Sequence, residues 1–172
     1  MGLFRPRIYQ KSIYDINYKN LKEQGIKCLI FDLDNTLGLI SNKNCPEETK
    51  ELINKLKKDF LIIISSNNMK RRLRPYLKEL EVDGISWSMK PSVKCLLQIK
   101  NKYKLHKKEM CIIGDQIVTD ILAGNRYHIK TILVDPLGEK DLKITGLNRK
   151  VENRIIKHYE KRGLFERGKY YE

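Results

Sequence analysis

The sequence predicts an α/β protein, a doubly wound sheet of about five parallel strands with helices on both faces. Three observations predict it. Five short β-like runs recur along the chain, at Lys27–Asp32, Leu61–Ser66, Val82–Ser86, Met110–Gly114 and Thr131–Asp135. Four of them are continuously apolar rather than alternating, as strands covered on both faces are. Helical patterns separate them, and β-α-β-α order is the mark of a parallel sheet.

In chain order, residues 1–26 read as an irregular arm ending in a short helix around Lys19–Gln24. Pro46 opens a helix at its first position, where its missing N–H costs nothing. Glu47 and Glu48 then fall in its first turn and Lys55, Lys57 and Lys58 in its last, as the helix dipole favours. Leu52, Ile53 and Leu56 give that helix an apolar face. A second helix is expected from Asn68 to Leu80, interrupted near Arg74–Pro75 because a residue before proline disfavours helix. A third spans Ser92–Tyr103, with Val93, Leu96, Leu97 and Tyr103 inward, and a fourth Val118–Tyr127. Residues 146–163 form an amphipathic pattern, with Leu147, Val151, Ile155, Ile156 and Tyr159 at helical spacing.

The chain has 172 residues, which suits one domain: arm 1–26, core 27–136, and a C-terminal loop and amphipathic helix 137–172. A chain of this size buries roughly 70% of the surface its unfolded form exposes. No segment approaches the ~20 apolar residues of a membrane span, and MGLFRPRIYQ lacks the apolar stretch of a secretory signal. Cys28, Cys45, Cys95 and Cys111 show no zinc-type spacing. Cys28 and Cys111 sit in apolar runs and read as reduced thiols, so a cytoplasmic location is expected. The net charge of +14 admits nucleic acid, an anionic membrane surface or an anionic substrate as partner, or solvated lysines alone.

Ligands of open α/β sheets bind beyond the carboxyl ends of the strands. The first strand runs into Asp32-Leu33-Asp34-Asn35-Thr36, the second into Ser65-Ser66-Asn67-Asn68, and the fourth into Gly114-Asp115 with Asp120 five residues on; Lys90-Pro91 opens the third helix. Carboxylates gathered there repel, by about 4 kcal/mol per pair at ~4 Å and an effective dielectric near 20. A divalent cation removes that cost, and an all-oxygen ligand set suits Mg²⁺ better than zinc. A hydroxyl and a basic residue beside it suit a phosphate.

DxDxT, then Ser-Asn, then Lys-Pro, then GDxxxxD, in this order over residues 32–120, resembles the haloacid dehalogenase (HAD) phosphatase superfamily. The resemblance implies a HAD-like Rossmannoid core and an Mg²⁺-dependent phosphohydrolase. It implies Asp32 as nucleophile, Asp34 as general acid and base, Ser66 as a phosphoryl hydrogen-bond donor and Lys90 as charge stabiliser. Asp32, the main-chain carbonyl of Asp34 and Asp115 would hold Mg²⁺. Asp120 would act through water or else cap a helix, Thr36 would support the loop or serve as an ordinary turn residue, and Asn67 would help through its backbone or cap the following helix. Asn35 and Asn68 receive no role.

The stretches Leu37–Phe60 and Asn67–Met89 are too short for a cap domain, so an open site is expected. KSIYDINYKNLKEQGIKCLIFDLDNTL, SSNN, KPS, GDQIVTDILAGNR and GLNRKVENRIIKHYEKRGLF together resemble the YqeG-type proteins of HAD subfamily IIIA, a family that includes mitochondrial phosphatidylglycerophosphate phosphatases. Gly38-Leu39-Ile40 departs from the polar loop expected there. Lys70, Arg71, Arg72 and Arg74 crowd a helix start against its dipole, which assigns Lys70, Arg71 and Arg72, with Asn67, to an anionic substrate. The tail cations Arg149, Lys150, Arg154, Lys157, Lys161 and Arg162 flank an apolar stripe that lies either on an anionic membrane or against the sheet. Leu3-Phe4 likewise touches lipid or covers the core. The favoured reading is a phosphatidylglycerophosphate phosphatase, cytoplasmic or peripheral at the inner membrane face. A phosphatase of soluble metabolites, nucleotides or phosphoproteins is the alternative, and an RNA- or ribosome-associated module is the third. Nucleic acid is the least favoured partner, since no aromatic-rich stacking surface is visible.

Overall fold

The apolar runs become the centre of one parallel sheet. The computed structural model describes residues 2–138 and 145–172, with the backbone alone for 145–149. The strands are β1 (Ile8–Gln10), β2 (Cys28–Phe31), β3 (Leu61–Ser65), β4 (Asp83–Ile85), β5 (Met110–Gly114) and β6 (Lys130–Val134), in the order β1-β6-β5-β2-β3-β4. Every pairing is parallel, and β2 lies at the centre with Cys28 opposite both Leu61 of β3 and Met110 of β5.

Alternation along each strand divides the core in two. Leu29 and Phe31, Ile62 and Ile64, Cys111 and Ile113 face one layer. There they meet α1 (Tyr18–Glu23), α2 (Glu47–Leu56) and α3 (Lys70–Leu80) through Leu21, Ile53, Leu56, Leu73, Tyr76 and Leu80. Cys28, Ile30, Ile63, Met110 and Ile112 face the other, against Cys95, Leu96 and Ile99 of α4 (Lys94–Lys102) and Ala123 and Tyr127 of α5 (Leu122–Tyr127). Each fully buried Ile, Leu or Phe contributes about 1.5–3 kcal/mol. The continuous apolar strands are thus explained by helices on both sides. All four cysteines are buried and unbridged.

Four details differ from the sequence reading. The arm contains β1, which bonds to β6 and, through Tyr9, to Tyr171; three residues are too few to show a period. α3 runs unbroken through Pro75, because Leu73, Tyr76 and Leu80 bury its apolar side around the lost bond. Leu97 is exposed on α4, and Cys95 and Ile99 take the inward places with Leu96. In α6 (Thr145–Glu160), Val151 is exposed while Ile156 is buried and Ile155 and Tyr159 half-buried against Tyr9, Ile117, Ile121 and Leu133.

The tail stripe therefore packs on the protein. Lys150, Arg154, Lys157, Lys161 and Arg162 stay exposed, and the side chains of Leu147 and Arg149 lie outside the described residues. Phe4 joins the same cluster, whereas Leu3 is exposed. Between β2 and β3 the regular structure is α2 alone, and between β3 and Met89 only α3 and β4, so no cap covers the carboxyl ends of the strands. No helix among the described residues is long and apolar enough to cross a membrane.

Candidate active site

The chain builds β3 and β4 on one side of β2, then crosses to build β5 and β6 on the other. The reversal opens a crevice beyond the carboxyl ends of β2 and β5. Asp32 leaves β2 with its N–H bonded to Ile113 O at 2.8 Å, and Asp115 leaves β5 beside it. Asp120 returns to the same place through a π-helical turn at Ile117–Ile121, the kind of irregularity that re-aims side chains. Gly114 makes the room: a Cβ there would lie 2.3 Å from the Asp120 carboxyl carbon. Asp32, Asp115 and Asp120 each offer a carboxylate oxygen, all within 4.8 Å of one another.

Lys90 enters this group from the β4–α4 connection. Its Nζ lies 2.6 Å from Asp32 Oδ1, 2.7 Å from Asp120 Oδ1 and 2.7 Å from Ser65 O. Two of the ammonium's donors go to Asp32 and Ser65, and Asp120 is held by charge. The side chain of Asn67 sets the approach. Its Oδ1 accepts from Lys90 N at 2.9 Å and Ser88 Oγ at 2.8 Å, and its Nδ2 donates to Lys90 O at 3.0 Å. Asn67 thus clamps the lysine backbone through its side chain, where capping or a backbone role was expected.

One ammonium faces three carboxylates, and the imbalance shows. Burial pushes the Asp32 carboxyl up to about 7; Lys90 pulls it down, but Asp120 and Asp34 push it further up. Burial first, then Asp32, Asp120 and Glu152, hold Asp115 well above the usual range. Burial works against the charge of Lys90, yet Asp120 and Asp32 raise it. The cluster is largely buried, oxygen-only and short of positive charge, which fits a hard divalent cation.

Asp34 sits apart from that cluster. Arg72 Nε donates to its Oδ1 at 2.9 Å, with Nη2 ion-paired to the same oxygen at 2.9 Å, and Asn68 Nδ2 donates to its Oδ2 at 2.6 Å. Arg72 also reaches Asn42 O at 2.5 Å and Leu39 O at 3.0 Å, with its guanidinium 5.1 Å from the centre of the Tyr76 ring. It is engaged by the protein itself, which differs from the free anion-binding side chain expected of it. Thr36 Oγ1 donates to Asp115 Oδ1 at 3.3 Å, tying the loop to the acids. Gly38, where the apolar departure begins, packs so closely that a Cβ would lie 2.3 Å from Tyr76 Oη.

Ser66 is buried at the end of β3, where its Oγ accepts from Asn68 N at 3.0 Å and keeps its own proton to donate. Lys70 and Arg71 are exposed at the start of α3. A groove of about 650 Å³ adjoins Asp34, lined by Ile40, Lys43, Asn68, Met69, Arg71 and Arg72 among others.

Two residues escaped the sequence reading. Asn68 was given no role, though its place after a strand end was a signal. Glu152 is buried on α6, where its Oε1 accepts from Ile117 N at 2.9 Å beside the π turn; a carboxylate four residues before Ile156, on the apolar face, was the clue.

Comparison with known proteins gives the family. Residues 29–110 match a family described as haloacid dehalogenase-like hydrolase, and residues 88–141 one described as HAD-hydrolase-like. A protein named probable phosphatase YqeG, from Bacillus subtilis, is 35% identical over 161 residues, 93% of this chain and 94% of its own length. The chain belongs to the YqeG-type HAD phosphatases. A second relative of this phosphatase, phosphatidylglycerophosphate phosphatase 1 (chloroplastic/mitochondrial) of Arabidopsis thaliana, is 24% identical over 92% of the chain, which spans about half (49%) of that protein. The fold is shared with an uncharacterized protein of Listeria monocytogenes (TM-score 0.55, 18% identity, 68% of this chain and 85% of that one). It is also shared with the cobalt-bound deoxy-D-mannose-octulosonate 8-phosphate phosphatase of Haemophilus influenzae (TM-score 0.52, 17% identity, 84% and 95%).

Proposed function

We propose that this HAD phosphatase hydrolyses phosphate monoesters in two displacements at Asp32, with 1–172 acting as one catalytic unit. The observation that carries the reading is the Asp32–Asp115–Asp120 group, two members buried and Asp32 partly open, with Lys90 against two of its members. The Asp32 carboxylate attacks phosphorus, the ester P–O bond breaks, and Asp34 gives its proton to the departing alkoxide. Asp34 then takes a proton from water, whose oxygen attacks the aspartyl-phosphate and restores the Asp32 carboxylate with release of phosphate. Ser66 donates to a phosphoryl oxygen, and Lys90 holds Asp32 and the charge that develops beside it.

The groups that would hold a divalent cation, Mg²⁺ by the hardness of the donors, are Asp32, Asp115 and the Asp34 carbonyl, with Asp120 behind them. When bound, such an ion neutralises charge shared by the carboxylates and the phosphoryl oxygens. To act as acid, Asp34 must give up a contact to Arg72 or Asn68, since both its oxygens are engaged. Lys70 and Arg71 stand at the mouth to meet a larger anionic substrate.

The substrate class we favour is a phosphate on a lipid head group, phosphatidylglycerophosphate first, met from the cytoplasmic side at a membrane surface. Its support is the uncapped mouth and the Arabidopsis relative. A phosphate-release screen with and without Mg²⁺, over lipid phosphates in mixed micelles and soluble esters, tests it. Wild type should release phosphate only with the ion, and Asp32→Asn should release none. The lipid preference fails if the micellar lipid has no advantage in kcat/KM over soluble esters; the mechanism fails if Asp32→Asn turns over.

A further inference from the structure

The segment that delivers Lys90 alternates inward and outward. Ser88 and Lys90 are buried, whereas Trp87 and Met89 are 63% and 65% exposed. Both outward residues have left-handed backbone, φ 52° and 55°, which bulky side chains rarely adopt. Hydrogen bonds hold them beside the β3–α3 loop: Trp87 N donates to Asn68 O at 3.1 Å and Ser88 N to Ser66 O at 3.0 Å. The next residue of that loop, Met69, is 62% exposed. Three large apolar side chains thus stand in water around the mouth of the site, although the rest of the apolar set is mostly buried.

Charge around them has one sign. Residues 39–44, 66–74 and 86–94 contain no Asp or Glu. Lys43, Lys70, Arg71, Arg74 and Lys94, all exposed, lie in these same segments. Apolar tips within a cationic rim complement an anionic bilayer, which takes up apolar side chains at its boundary and attracts Lys and Arg within a Debye length of roughly 8 Å at physiological salt. Tryptophan and methionine suit that boundary, and no aromatic row for stacking bases accompanies them.

We propose that Met69, Trp87 and Met89 form a membrane-docking rim that seats the open mouth of the site on an anionic lipid surface. The proposal deepens the lipid-phosphate reading, on which its purpose rests, but the contact is measured without turnover. With the α6 stripe packed on the protein, this rim offers an outward apolar surface beside the catalytic groups.

Trp87 is the chain's single tryptophan, so its emission reports the contact directly. Vesicles of phosphatidylglycerol and phosphatidylcholine, which carry no phosphomonoester, should shift it to the blue, and brominated acyl chains should quench it. Phosphatidylcholine alone, or high salt, should abolish the shift. A Met69→Ser/Met89→Ser variant should bind the vesicles at least about tenfold more weakly, with a wild-type thermal melt. Unchanged Trp87 emission on anionic vesicles overturns the proposal, as does full binding by the double variant, which would locate the contact elsewhere. An equal shift on RNA that outcompetes vesicles would also overturn it. Vesicle binding without hydrolysis of any lipid phosphate sinks the substrate reading and leaves the rim standing; hydrolysis of dispersed lipid phosphate without vesicle binding does the reverse.

Discussion

Arg72 grips Asp34 through two nitrogens that meet one oxygen, Nε and Nη2 each 2.9 Å from Oδ1. The same guanidinium reaches two carbonyls of the 39–42 loop, so one side chain positions both the second aspartate of DxD and the wall of the adjoining groove. A residue that the sequence assigns to an anionic substrate is a structural clasp.

Arg72→Met should therefore lower stability by about 1–3 kcal/mol, the usual scale for hydrogen bonds to a charged group, read from the urea midpoint at constant m-value. It should also lower kcat more than it raises KM, because Asp34 loses its orientation. Arg72→Lys should recover little, since an ammonium lacks the planar fork. Full activity in Arg72→Lys would show that charge alone matters.

The acid cluster predicts a pH dependence for the metal-free protein. Asp32 is raised to about 7 and Asp115 is raised as well, above the unfolded range near 4. Between these values the folded state holds protons that the unfolded state has released, so stability falls as pH rises from about 4 through 7. The loss is of the order of a few kcal/mol. Saturating Mg²⁺ binds the ionised form and should restore stability above pH 7. Thermal melts in EDTA and in Mg²⁺ across this range check both; melts that rise from pH 4 to 7 in EDTA would contradict the cluster's electrostatics.

Gly114 gives the most local test. A Cβ there would meet the Asp120 carboxyl group at 2.3 Å, so Gly114→Ala should displace Asp120 and cost about 1–3 kcal/mol, the scale of overpacking. Mg²⁺ affinity should weaken with it, measured as the ion concentration for half-maximal rate. An alanine variant with unchanged metal dependence would mean that Asp120 need not sit against the strand.

The central strands were legible because helices on both faces impose continuous apolar runs, and three of the four motifs fell at strand ends that the sheet brings to one rim, Lys90 joining them from the β4–α4 connection. Side-chain pairing was less legible. Nothing in SSNN distinguishes Asn67, which clamps Lys90, from Asn68, which holds Asp34; the difference comes from which way the β3–α3 loop turns. Pro75 misled because local backbone preference was outweighed by burial of Leu73, Tyr76 and Leu80. β1 was invisible because its partner β6 lies at the far end of the sequence.

That last pairing bears on how the molecule is assembled during synthesis. Ile8–Gln10 leaves the ribosome first among the strands and waits for β6, and Tyr9 waits longer still for Tyr171. Asp32 likewise emerges long before Asp115 and Asp120, so a nascent chain can pair β2 with β3, and β3 with β4, without confronting the mutual repulsion of its acids. The electrostatic burden of the site falls on the closing stage of folding, when β5 docks against a sheet already half built.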